Sequence, residues 1–241
     1  METKVDRIAD GIFRLSTFIP DISPIGFTFN QYVIKAEQPM LWHCGGRGLF
    51  PSVSRAAASI LPLETLRWIS FGHVESDESG SMNDWLAAAP HAQVVHGTTG
   101  VMVSLNDLAV RPPRALADGE VLDLGGKRIR WIDTPHVPHG WESGPIYEET
   151  TGTLFTGDLF THAGKGEPAI AAASIVPPAI QAEEMFKATA LTPSTAPTIR
   201  RLAALKPKRL AVMHGTCFEG DSAAELEALA KYYETALRNA A

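Results

Sequence analysis

The stretch Phe71-Gly72-His73-Val74-Glu75-Ser76-Asp77-Glu78 sets one imidazole and three carboxylates within six positions, directly after the apolar run Leu66-Arg67-Trp68-Ile69-Ser70. A strand that halts at glycine and hands over to donor residues is a rigid base with a loop beyond it, a good place to converge ligands. If the loop stays extended, His73, Glu75 and Asp77 emerge on one side and Glu78 on another. That spacing serves one metal from His73 and Glu75 and a neighbouring metal from Asp77. Standing alone, the segment would read equally well as a solvated acidic loop.

It does not stand alone. Three further strands stop in the same way: Asp133-Thr134-Pro135-His136-Val137-Pro138-His139-Gly140, Thr156-Gly157-Asp158-Leu159-Phe160, and Val212-Met213-His214-Gly215-Thr216. Nitrogen and oxygen donors without sulfur suit iron, manganese or zinc better than Cu(I) or an iron–sulfur cluster. His136 and His139 share one loop, and the residues alone leave open which of them serves a site. His91 reads as an exposed turn residue. His43 and His96 end strands. Cys44 and Cys217 read as small buried side chains, Cys217 lying close enough to His214 to reach the mouth of a site.

The remaining sequence describes one α/β domain over residues 1–241. With 45% apolar and 20% charged residues, a packed core is feasible and wholesale disorder is excluded. Twenty-one Lys and Arg against 27 Asp and Glu give a net charge of −6, so no basic excess exists to grip nucleic acid. No apolar run approaches a membrane span, the start is acidic rather than a secretory leader, and two cysteines make no disulfide framework. A cytoplasmic protein is the expectation. Strands are expected at 11–15, 30–34, 40–44, 66–71, 92–96, 120–124, 129–132, 153–156 and 209–213. Helices are expected at 51–61, 82–88, 98–105, 182–188, 198–205 and 222–237. Strands both in runs and alternating with helices imply layered sheets with helices outside.

These residues resemble the metallo-β-lactamase fold, and within it the di-iron domain of flavodiiron proteins and the stand-alone oxygen-binding di-iron proteins. Hydrolases of this fold begin their site with His-x-His-x-Asp-His. His73-Val74-Glu75-Ser76-Asp77 instead is similar to the flavodiiron His-x-Glu-x-Asp, as are Ser79-Gly80-Ser81 and the run from Asp118 to Gly126. His139-Gly140-Trp141-Glu142-Ser143-Gly144, Leu154-Phe155-Thr156-Gly157-Asp158 and Met213-His214-Gly215 follow in the family's order, from about Ile12 to about Gly220. The resemblance implies a four-layer αβ/βα sandwich with two metals at one edge. His73, Glu75 and His139 would hold one metal, Asp77 and His214 the other, and Asp158 would bridge them. The family's spacing back from Asp158 implies His139 rather than His136. The family often carries an aspartate at the place of His43, which implies that His43 orients a ligand rather than being one. The sequence departs from the family at Glu78, where a histidine is usual: either Glu78 ligates as well, or it turns away and leaves an open position.

What the resemblance implies for function is a non-haem di-iron protein, with zinc or manganese as alternative metals, that binds O2 or another diatomic as sensor or scavenger and reduces it. His162 or His136 would donate a hydrogen bond to the bound ligand. Flavodiiron proteins carry a flavodoxin-like domain after this one, and the chain stops about where it would begin, without a glycine-rich nucleotide motif. No flavin is therefore expected on this chain, electrons would come from an external donor protein, and a homodimer is among the expectations. The competing reading is a metal-dependent hydrolase of an ester, thioester, lactone or phosphodiester, with Asp77 orienting the nucleophile.

Overall fold

Side chains that alternate along a strand serve two different layers, and that alternation organises the molecule. The computed structural model describes residues 2–240. Its first sheet runs in chain order through β1 (Thr3–Ala9), β2 (Ile12–Ile19), β3 (Phe27–Ile34), β4 (Met40–Trp42), β5 (Trp68–Ser70), β6 (Gln93–Gly97) and β7 (Arg114–Leu116). Pairing is antiparallel from β1 to β4 and parallel from β4 to β7. The second sheet comprises β8 (Val121–Asp123), β9 (Arg128–Trp131), β10 (Ile146–Glu148), β11 (Thr153–Phe155), β12 (Ile170–Ala171), β13 (Arg209–Ala211) and β14 (Cys217–Glu219), in the spatial order β12-β14-β13-β11-β10-β9-β8.

Helices cover the outer faces. The first sheet carries α1 (Phe50–Ala58), the single turn α2 (Ser76–Ser79), α3 (Met82–Ala88), and α4 (Thr98–Gly100) continued through a π-turn into α5 (Asn106–Leu108). The second carries α6 (Val176–Phe186), α7 (Thr195–Ala203) and α8 (Ser222–Ala240). Tyr32 and Ile34 of β3, with Met40 and Trp42 of β4, face Trp131, Phe155 and Ala211 of the second sheet in one core. Their neighbours Val33 and Leu41 point the other way, to Val53, Trp85 and Leu86 of the first helical layer. Leu154 and Leu210 likewise face Ile199, Leu202 and Leu229 of the second. Three cores between four layers are the αβ/βα sandwich expected from the sequence.

Several elements differ from the sequence expectation for local reasons. The segment expected to be extended from 73 to 78 is extended only to Glu75 (φ −130°, ψ 157°) and then forms the helical turn α2. Strands β1, β7, β10, β12 and β14 are short or carry charged residues, and sheet pairing rather than propensity defines them. Helix α6 starts at Val176, well before the expected 182, because Pro177 and Pro178 fill the first turn, where no intrahelical N–H is needed. Strand β4 ends at Trp42, since His43 takes a left-handed φ of 61°.

Trp42 and Trp131 meet across the two sheets with ring centroids 6.5 Å apart, both without solvent exposure. Removing such a side chain costs the transfer energy and leaves a cavity. Trp131→Ala is expected to lower unfolding free energy by about 3–5 kcal/mol in urea titration.

Candidate metal centre

Each donor segment follows a strand at the same edge of the sandwich. β5 leads into His73, β9 into the loop bearing His139, β11 into Asp158 and β13 into His214. β11 and β13 are parallel neighbours, and Met213 N–H donates to Gly157 O, so Asp158 and His214 leave the sheet side by side. β5 belongs to the opposite sheet. The site therefore exists only because two sheets open at a common edge.

Among the described residues, His73, Glu75, His139 and Asp158 offer donor atoms that all lie within 4.8 Å of one another. Glu75 Oε2 is 2.7 Å from His73 Nε2 and 3.2 Å from His139 Nε2, and the two imidazole nitrogens are 3.0 Å apart. His214 Nε2 lies 3.2 Å from Asp77 Oδ2 and 3.3 Å from Asp158 Oδ1. The other oxygen of Asp158 faces the first group, 3.5 Å from His139 Nε2 and 3.9 Å from His73 Nε2. One carboxylate thus presents an oxygen to each of two donor sets. His136, exposed at the tip of the same loop with φ 64°, stands outside this arrangement.

The donor set fits cations. Asp158 Oδ1 and His139 Nδ1 are buried without a hydrogen-bond partner. The far side of two imidazoles is already engaged: His214 Nδ1–H donates to Thr28 O at 2.8 Å, and His73 Nδ1 stands 3.3 Å from Glu78 Oε1. Tying the outer nitrogen fixes the tautomer that leaves Nε2 free for a metal. Phe27 and Phe29 pack on the His214 ring at 4.6 and 5.0 Å and hold its plane.

Glu78 is the main departure from a ligand role. Its side chain has no solvent exposure and turns into the protein, where Oε2 accepts the backbone N–H groups of Gly72 and His73 at 2.5 and 2.9 Å. Oε1 lies 3.4 Å from His43 Nε2. The α2 turn explains this, because consecutive helical residues diverge by about 100° and Asp77 takes the cluster side. Gly72 leaves room beside it: a Cβ there would sit a tight 3.0 Å from the carboxylate. In this arrangement Glu78 stands behind His73 rather than among the clustered donors.

His162 does not reach the site. Its Nδ1–H donates to Phe160 O and its Nε2 accepts Thr216 N–H, each at 2.8 Å, so no ring atom remains to meet a ligand. Burial lowers its pKa and keeps it neutral. Cys217 also points elsewhere, its Sγ 3.3 Å from the buried Tyr32 hydroxyl. Sequence reasoning missed Glu142, whose Oε1 accepts Val74 N–H at 2.9 Å, and the cavity residues described next. Glu142 lies within the stretch from His139 to Gly144, but its role depends on meeting Val74 across the fold.

Asp77, Glu75, His139, Asp158 and His214 open into a cavity of about 260 Å³. Its other walls are largely apolar, with Ile22, Phe27, Phe29, Phe160, Ala182 and Phe186. A family model described as ODP family beta lactamase matches residues 27–215. The chain belongs to that family. Its relatives include a protein described as diflavin flavoprotein A 1 of Nostoc sp., 28% identical over 138 residues, or 56% of this chain and 24% of that one. The anaerobic nitric oxide reductase flavorubredoxin of Salmonella arizonae is 25% identical over 139 residues, 56% of this chain and 29% of its own. The chain spans about a quarter of the length of these curated relatives. A single-site mutant of the flavo di-iron protein of Thermotoga maritima superposes with a TM-score of 0.85 at 20% identity, over 96% of this chain and 62% of that one. Rubredoxin oxygen:oxidoreductase of Desulfovibrio gigas gives 0.83 at 16%, with the same coverage. At these identities the superpositions show the fold. Among the described residues no helix is long and apolar enough to cross a membrane.

Two tests follow from the geometry. Burial alone would lower the His73 pKa, but Glu78, Glu75 and Asp158 push it up to about 12; Asp158 and Asp77 likewise overcome burial and push His214 up to about 10. Both lie above the ordinary 6.5, so each imidazolium contributes full stability below that value and loses it as pH rises through about 10 and about 12. Near neutral pH a metal must displace those protons. Uptake is expected to acidify a weakly buffered solution in a pH-stat, with apparent affinity rising with pH. Separately, Glu78→Ala is expected to lower metal affinity about 10–100-fold in chelator competition, as for lost outer-shell partners generally.

Proposed function

We propose that this chain holds a pair of iron ions and uses them to bind and reduce a small uncharged diatomic, O2 or nitric oxide, with electrons from an external donor protein. His73, Glu75 and His139 would hold one ion, Asp77 and His214 the other, with Asp158 shared. The observation that carries the reading is Glu75 Oε2, set between the Nε2 atoms of His73 and His139 at 2.7 and 3.2 Å. A carboxylate there, with Asp77 and Asp158, supplies hard anionic oxygen that favours iron and its higher oxidation state over a neutral imidazole set. Iron, when bound, supplies one-electron chemistry and open positions for a small ligand.

The chain's own residues do the rest. Phe27, Phe29, Phe160 and Phe186 line the approach with apolar surface, which admits an uncharged gas readily and disfavours a polar ester or phosphodiester. Support also comes from the relatives, whose printed names include a nitric oxide reductase and an oxygen oxidoreductase. The two cysteines are free and buried, which accords with a reducing, cytoplasmic setting.

The test is direct. Protein purified from iron-supplemented cells is expected to carry iron above zinc, with a visible spectrum that bleaches with dithionite and returns with air. Glu75→His is expected to shift the bound metal from iron toward zinc. Colourless, zinc-filled wild-type protein that cleaves a nitrophenyl ester would overturn the proposal.

A further inference from the structure

The cavity wall has one polar break away from the donor cluster. Apart from the cluster, its titratable lining residues are Glu183 of α6 and Tyr233 of α8, with Thr189 beside them. Glu183 Oε2 accepts the Thr189 hydroxyl at 2.7 Å and the Tyr233 hydroxyl at 3.0 Å, and the two hydroxyls are 2.8 Å apart. Tyr233 and Thr189 are buried, while Glu183 is partly exposed. The same three residues also line a second hollow of about 460 Å³, whose other walls include the exposed Glu184 and Lys187. They therefore lie between that outer hollow and the metal cavity, and border both.

The geometry points to Glu183 and Tyr233 as a proton path from solvent into the cavity, a role that rests on the reading of the site as one where a diatomic is reduced. Whether O2 becomes water or nitric oxide becomes nitrous oxide and water, each electron from the donor protein is matched by one proton. While Glu183 is ionised, its carboxylate holds the phenolic hydrogen of Tyr233 away from the cavity. When Glu183 takes a proton from water in the outer hollow, its new O–H donates to the phenol oxygen and the phenolic hydrogen is free to turn inward. Transfer of that hydrogen to the reduced ligand, with the Glu183 proton moving onto Tyr233, carries one proton across and leaves both residues as they began. Elsewhere the cavity offers apolar groups, the metal donors themselves, and Thr161, whose hydroxyl is committed to Asp158 O at 2.7 Å.

Other charges flank the pair from two sides, with Arg200, Glu234 and Arg238 around a further hollow that Tyr233 also borders. Glu184 and Lys187 face the pair from α6 and its C-terminus, Tyr232 from α8, and Arg200 of α7 is engaged by Glu227 and Glu234. Burial, then Glu183, raises the Tyr233 pKa, so the phenol stays protonated between transfers.

Two readouts decide the matter. Infrared difference spectra of the protein as purified, taken between an acidic and a neutral buffer, are expected to show a protonated carboxyl band that is absent in Glu183→Gln. The band should shift in Tyr233→Phe and stay in place in Tyr232→Phe. In iron-loaded protein, Glu183→Gln and Tyr233→Phe are expected to slow re-oxidation by O2 about 10²-fold. Both should change its D2O isotope effect, with Tyr232→Phe unchanged. A carboxyl band unmoved by Tyr233→Phe, or wild-type rate and isotope effect in both variants, overturns the path alone. Wild-type protein that binds no iron and consumes no O2 overturns the functional reading, and the path with it.

Discussion

Asp158 stands where the molecule's geometry and its electrostatics meet. Its two oxygens face separate donor groups, one containing His214 and Asp77, the other His73, Glu75 and His139. Such an arrangement brings like charges together, and burial on its own would raise the Asp158 pKa. The imidazoles around it outweigh that penalty and hold the carboxylate ionised. A cluster of anionic oxygens and basic nitrogens at van der Waals range is stable only with positive charge among them, whether protons or metal ions.

Holding that cluster in place is the work of the layer behind it. Glu78 anchors the start of the first donor loop through two backbone N–H groups and faces both His73 and His43. Arg14, buried in the inter-sheet core, donates to the carbonyls of Gly166 and Gly215, so the first sheet fastens the loop that carries His214. Asn30 does the same through Val212 O and Gly215 O. Positioning across two sheets is thus secured by hydrogen bonds that cross the sandwich, which rigidifies the donors before any ion arrives.

Beyond the cluster the chemistry changes character. α6 closes over the donors with Ala179, Ala182 and Phe186, and that surface is interrupted at Glu183, at Thr189 beyond the helix, and at Tyr233 of α8. Apolar walls suit an uncharged ligand, whereas the polar break is where a proton route is proposed. The proposed ligand entry and the proposed proton route thus lie on different faces of one small cavity.

Much of this was legible in the sequence. The apolar strands, the donor residues that follow four of them, the layered α/β class and the resemblance carried by His73-Val74-Glu75-Ser76-Asp77 needed no coordinates, because strand period and donor chemistry are local properties. The family's spacing back from Asp158 pointed to His139 over His136, and His139 is the one whose Nε2 stands beside His73 and Glu75. Tertiary structure decided what depends on neighbours distant in the chain. The direction of Glu78 follows from a helical turn that begins one residue after Glu75, and from backbone N–H groups waiting at Gly72 and His73. His162, next to the site in sequence terms, is consumed by Phe160 and Thr216. Glu183 and Tyr233 lie 50 residues apart and meet only because α6 and α8 pack on the same sheet face. A sequence sets which atoms can bind or titrate; which way each one points is fixed by packing, and no local pattern encodes it.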